Sequence, residues 1–291
     1  MFKICRKWRG VGKIGGVPLI LMYVLIALLA VFFLFPYLFM LAKSFTPDSE
    51  CFDLPVTFFP KHFSWDGYRQ AFSSEMLLYL KNTMIIIVLN MIVVPISASL
   101  CAFGFAKMRF PGRNAIFAVM MATVMLPGTV LSIPLYVMYV KLNWINTFYP
   151  LWVPNLFGGG AMNIFLLRQF MRGVPKDIEN AAKIDGANAF LVYWKIIMPM
   201  CVPILMYILI GIFLGTWNDF SGPLIFIREK SKYTLGLGLY YKFTGQDVEA
   251  NMINIRTAVG FIMTLVPAAL YFGFQKQIEQ SINLTGAAQK G

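Results

Sequence analysis

Few side chains in this 291-residue sequence are of the kinds that make or break bonds. Its single histidine, His62, lies in a hydrophilic stretch and reads as a solvated loop residue rather than a metal ligand. The cysteines Cys5, Cys51, Cys101 and Cys201 fall in four separate segments with no CxxC pair. That pattern suggests neither a zinc site nor a disulfide framework, and buried or incidental thiols are expected. No Walker A sequence is present. The nearest glycine-lysine pair, Gly12-Lys13, is followed by Ile14 and lacks the correctly spaced first glycine. The sequence therefore predicts no catalytic residue, no metal site and no cofactor held by this chain. If ATP drives its work, another chain must bind the ATP and magnesium.

The polar residues inside the apolar runs are neutral: Asn90, Ser97, Ser99, Thr123, Thr129, Ser132, Asn155, Asn163, Thr216 and Thr264. Proton- and sodium-coupled carriers usually place an ionisable or ion-ligating group at depth, and none lies deep in these runs. Such neutral groups can hydrogen-bond a polar solute or hold helices together. Asn155 and Asn163 flank the run Gly158-Gly159-Gly160. With Gly159 they are the candidates for a translocation path. Prolines 95, 127, 134, 154, 203 and 267 interrupt the runs, and broken helices of this kind are frequent in transporters.

The elements that position these groups are membrane helices. The chain is 58% hydrophobic and 13% charged, against about 25% charged in ordinary soluble domains. Six spans are predicted: about 17–42, 83–106, 115–140, 149–170, 200–217 and 257–274. The first follows a basic start but exceeds a typical signal-peptide core and has no cleavage pattern, so it reads as a retained helix. The expected fold class is an all-α integral membrane bundle, one permease-like domain over residues 1–291.

Charge sets the expected orientation. With both termini cytoplasmic, the inside segments hold 15 of the 25 basic residues and four of the 13 acidic ones. The net charge of +12 then lies almost wholly beside the cytoplasmic leaflet, which removes the main argument for a nucleic-acid partner. The outside connections 44–81 and 218–256 are long, and the longest inside loop is about 171–199.

That inside loop, within GVPKDIENAAKIDGANAFLVYWKIIMPMCVP, predicts a helix, a corner and a second helix. Pro175 suits a helix start, and Asp177 and Glu179 complement the positive helix end. Ala181 and Ala182 are small enough for another surface to approach. Gly186 favours a break, Asn188 can cap the second helix, and Pro199 marks entry to the fifth span. An interfacial helix resting on lipid is the alternative physical reading.

The segment resembles the EAA loop of permeases from ATP-binding-cassette (ABC) importers. Ala181, Ala182, Gly186, Ile196 and Pro199 fall at the positions of that pattern. Asn180 stands where the glutamate is usual, with Glu179 beside it, and Met198 replaces leucine. Ile184-Asp185-Gly186-Ala187 and Trp217-Asn218-Asp219-Phe220 resemble the carbohydrate-importer branch. Asn283 to Ala288 is similar to the tail of the smaller permease of maltose-type importers. The resemblance implies a type I importer fold in a bacterial plasma membrane and transport of a sugar or oligosaccharide. It implies as partners a second permease, two ATPase subunits and an extracytoplasmic solute-binding protein. It also implies coupling to the ATPase through Glu179, Asn180, Ala181, Ala182, Asp185, Gly186, Ile196 and Pro199. Alternatives are a permease for another polyol or phosphorylated polyol, or a membrane structural or assembly protein. The latter leaves the loop pattern unexplained.

Overall fold

The computed structural model describes residues 16–51, 57–244 and 253–288. The basic stretch from Lys3 to Lys13, Cys5 and both chain ends lie outside the described residues. Helix α1 is Gly16–Ser44, α2 is Asp66–Ala71 and α3 is Ser74–Lys107. Then follow α4 (Arg113–Ala122), α5 (Gly128–Lys141), α6 (Tyr149–Trp152), α7 (Ala161–Arg172) and α8 (Lys176–Ile184). The remainder are α9 (Ala189–Val192), α10 (Met198–Met200), α11 (Val202–Trp217), α12 (Ser221–Phe226), α13 (Leu235–Thr244) and α14 (Ile253–Ala288). Every regular element among the described residues is helical, which pairs the backbone groups within each segment as lipid demands.

The chain forms two compact units. One takes in α1, α2 and the first part of α14; the other takes in α3 to α13 and the rest of α14. In the first unit, the Ser44 hydroxyl meets the Tyr68 hydroxyl at 2.7 Å, and the Asn254 N–H donates to Asp48 Oδ1 at 3.1 Å. Apolar side chains from Leu19 to Leu38 of α1 are exposed around the helix. Such a surface requires lipid or another apolar chain against it.

In the second unit α3 is the axis. Its 34 residues reach about 51 Å at the α-helical rise, longer than the expected span. Val94, Ala98, Ala102 and Phe103 pack with Ile164, Leu167, Met171, Tyr193 and Ile197 in one buried cluster. At the other end of α3, Asn82 Nδ2 donates to the carbonyls of Ser231 and Tyr233, and Thr83 Oγ1 accepts from the Leu235 N–H. The stretch expected as an outside loop after α11 thus carries the helices α12 and α13, tied to α3.

Among the described residues, three long helices, α1, α3 and α14, are apolar enough to cross a membrane. The expected third span is a pair of helices bent by 102° between Met125 and Gly128. Leu126, which precedes Pro127, is extended, and proline disfavours helical backbone at that position. The expected fifth span, 200–217, is the continuous helix α11, and the stretch Ala189–Met200 joins it at a 76° bend between Met200 and Val202. Counting each bent pair as one span gives five. The expected fourth span is not continuous: α6, a short 3-10 turn over Val153–Leu156 and α7 follow one another with a glycine break between. Pro127, Pro154 and Pro203 sit at or beside breaks, whereas Pro95, Pro134 and Pro267 lie inside continuous helices.

Candidate functional site

The broken stretch from α6 to α7 builds a polar cavity against α3. Gly158, Gly159 and Gly160 all have positive φ (111°, 63° and 95°), a run that side chains strongly disfavour. Gly159 also lies so close to α3 that a Cβ there would stand 2.7 Å from the Val94 carbonyl oxygen. Breaking a helix in lipid frees backbone groups that need partners. α3 supplies them: Ser97 Oγ donates to the Leu156 carbonyl and accepts from the Gly158 N–H, both at 2.7 Å. Asn155 Nδ2 donates to Asn90 Oδ1 at 2.7 Å, and Asn90 Nδ2 donates to the Leu151 carbonyl at 3.1 Å.

The three expected path residues come together here. Asn155, Gly159 and Asn163 line a cavity of about 340 Å³ with Asn90, Thr216 and Asp219. That volume lies within the range of small-molecule sites, about 300–1,000 Å³. Asn163 Nδ2 donates to the Gly159 carbonyl at 2.7 Å, which leaves its amide oxygen for other donors. Asp219 was not among the expected path residues, because it follows the apolar run. Its carboxylate accepts from the Gly222 N–H at 3.0 Å, at the start of α12. Desolvation pushes this carboxyl above its ordinary range, against the lowering effect of the Gly222 and Ser221 N–H groups. The sequence signal for it is the Trp217-Asn218-Asp219-Phe220 tetrad.

The loop from α7 to α11 has the expected helix, corner and second helix. α8 ends in a Schellman motif: the Ala187 N–H bonds the Ala182 carbonyl at 2.9 Å and the Gly186 N–H bonds the Lys183 carbonyl at 3.1 Å. Gly186 carries the required left-handed backbone, φ +83°. Asn188 caps α9 by accepting the Leu191 N–H at 2.8 Å. A π-helical turn, Tyr193–Ile197, then leads to Pro199. The Tyr193 hydroxyl meets Ser99 Oγ on α3 at 2.8 Å. Ile196 is half-buried and Pro199 exposed, while the adjacent Ile197 fills the core.

The expected coupling residues divide between faces of α8. Ala182 packs inward against the buried cluster, as does Ala187. Glu179 is buried; its carboxylate pairs with Lys107 at the end of α3, and Lys107 Nζ also donates to the Val174 carbonyl at 3.2 Å. Asp177, Ala181, Ile184, Asp185 and Gly186 are exposed, and Ile184 is 86% exposed. Residues 177, 181 and 184 share one helical face. Asn180 is exposed on a different face, with Lys176 and Lys183. Sequence spacing alone did not separate these faces.

Residues 95–284 match the family described as binding-protein-dependent transport system inner membrane component. The chain is 29% identical over 252 residues to an arabinooligosaccharide transport system permease protein of Halalkalibacterium halodurans, covering 85% of this chain and 88% of that one. It is 28% identical over 263 residues to a diacetylchitobiose uptake system permease protein of Streptomyces coelicolor, covering 90% and 86%. Its fold is similar to that in the crystal structure of a bacterial ABC transporter that imports alginate, with a TM-score of 0.82 at 19% identity, over 91% of this chain and 98% of that chain. At that identity the likeness establishes the fold alone.

Proposed function

This chain belongs to the binding-protein-dependent transport system inner membrane components, and on that premise we propose that it imports a sugar or oligosaccharide as one permease of an ATP-driven complex. The permease relatives named above for oligosaccharides support the substrate class. In this reading the bundle crosses a bacterial plasma membrane six times, with the broken α6–α7 stretch as the fourth crossing and both termini cytoplasmic. The cavity lined by Asn155, Asn163 and Asp219 forms part of the solute path, its amides and carboxylate matching sugar hydroxyls. A second permease supplies the remaining wall, and an extracytoplasmic binding protein delivers the solute.

The observation that carries the proposal is the helix and glycine corner of α8, which presents Asp177, Ala181 and Ile184 outward while Glu179 and Ala182 fix the helix to its own bundle. An ATPase subunit docks on that outward face. When two such subunits close on ATP, the helix moves and carries the end of α3 with it through the Lys107–Glu179 pair. α3 borders the cavity, so its displacement changes access to the solute path. Hydrolysis takes place in the partners, and this chain contributes the path and the lever.

The test is reconstitution. Proteoliposomes holding this chain, its second permease, the ATPase and the binding protein should take up labelled oligosaccharide only with ATP. Uptake by this chain alone, driven by a proton gradient, would overturn the reading.

A further inference from the structure

We propose that a cleft between the end of α3, the start of α4 and α8 binds the phosphate headgroup of an anionic phospholipid. The cleft holds about 920 Å³ and is lined by Lys107, Arg109, Arg113, Arg172, Lys176 and Lys183. Its one acid is Glu179, already paired with Lys107. The other five cations therefore face the cleft without a carboxylate among the described residues. Polar contact within the chain does not use them up: Arg113 spends one N–H on the Met108 carbonyl, at 2.9 Å. The start of α4 adds to the field. Gly112 at its N-cap offers no side chain, no acid lies in the first turn, and Arg113, Asn114 and Ala115 of that turn line the cleft. The Arg113 N–H turns back to the Phe110 carbonyl at 3.4 Å, and the positive end of the helix dipole still favours an anion there.

The apolar border identifies the anion as part of an amphiphile. Where the basic lining ends, Met108, Ile116 and Val119 are 46%, 53% and 69% exposed, and Phe110 stands in the cleft wall. Ile116 and Val119 lie three residues apart on one face of α4. A phosphate in the cleft places acyl chains along that row, whereas a free phosphate leaves the row unused. Basic pockets between membrane helices on the cytoplasmic side suit anionic headgroups. The cleft face of α8, carrying Lys176, Asn180 and Lys183, differs from the face of Asp177, Ala181 and Ile184 proposed to meet the ATPase. Both partners can thus engage one helix, and the lipid braces α8 against α3 and α4. The inference rests on the proposed cytoplasmic placement of the loop.

The test uses the assembled importer in nanodiscs containing phosphatidylglycerol or phosphatidylcholine with a photoactivatable acyl chain, read by peptide mass spectrometry over residues 108–122. Phosphatidylglycerol should label this segment in preference to phosphatidylcholine. Arg109→Gln/Arg113→Gln/Arg172→Gln should lower that labelling by at least about tenfold, since each basic side chain near an anionic surface contributes roughly fivefold. The charge-preserving triple lysine substitution should retain the preference, and single Arg172→Gln should weaken it if the triple glutamine variant does not assemble. Equal labelling by both lipids, or labelling unchanged by charge removal, would overturn the proposal. Suppression by millimolar inorganic phosphate would make the cleft a free-anion site and likewise overturn it. Both nanodisc faces carry the same lipid, so this result is independent of orientation; an inverted orientation would appear instead in labelling of Lys183→Cys in intact cells.

Discussion

The Lys107 ammonium at the end of α3 and the Glu179 carboxylate on α8 form an ion pair in which both side chains are about nine-tenths buried (9% and 10% exposed). A pair in this environment holds position more than it adds stability, because desolvation offsets most of the attraction. Removing one partner is different: it strands a buried charge at a cost of about 3–5 kcal/mol. Glu179→Ala should therefore loosen α8 and reduce uptake, with faster proteolysis in the loop. Lys107→Met/Glu179→Met should restore loop protection, because it replaces the pair with apolar contact. Equal protease resistance in the wild type and Glu179→Ala would show that the pair does not anchor the loop.

Gly186 has nothing within 4 Å of a would-be Cβ, so its constraint is backbone conformation and not crowding. At φ +83° a β-branched side chain costs about 1–2 kcal/mol, whereas asparagine tolerates the left-handed region. Gly186→Val should impair ATPase co-purification and uptake, and Gly186→Asn should retain most of both at matched expression. Similar loss in the two variants would point to a contact made by the bare glycine.

Gly159 is constrained twice, by φ +63° and by the 2.7 Å approach of a would-be Cβ to the Val94 carbonyl. Gly159→Ala should force the broken helix away from α3 and lower thermal stability. Asn163→Ala should leave the fold standing, since the bond of its amide to the Gly159 carbonyl is local, yet reduce solute uptake by removing a polar cavity wall. Thermal unfolding and uptake measured side by side separate the two effects.

Orientation has its own readout. In intact cells, single cysteines replacing His62 and Lys242 should react with a membrane-impermeant reagent, while one replacing Lys183 should be protected. The reverse pattern would invert the topology drawn from charge.

The sequence made the helical class and the two-helix loop legible because local rules govern both. Apolar run length announced α1, α3 and α14, and Gly186 and Asn188 marked the corner and the cap through their own backbone preferences. Three features were not legible. Hydropathy does not report direction, so the stretch 115–140 read as one span although it turns by 102° beside Pro127. Pro134 lies in the same stretch and sits inside a continuous helix. Ala181 and Ala182 are alike in type but about 100° apart around α8, so only packing separates the exposed one from the inward one. At that inward position a tryptophan in place of Ala182 would disturb the chain's own core. The Lys107–Glu179 and Asn90–Asn155 contacts join distant segments, and no local pattern encodes them.

If α8 transmits ATPase movement, its outward face must touch the ATPase. Cysteine cross-linking in the assembled importer tests it most directly. Ala181→Cys and Ile184→Cys should each cross-link to the ATPase, with a yield that changes between the nucleotide-free and ATP-bound states. Asn180→Cys and Lys176→Cys, on the cleft face, should give little product in either state. Cross-linking confined to residues 176 and 180, or no ATPase product from any of the four, would contradict the account.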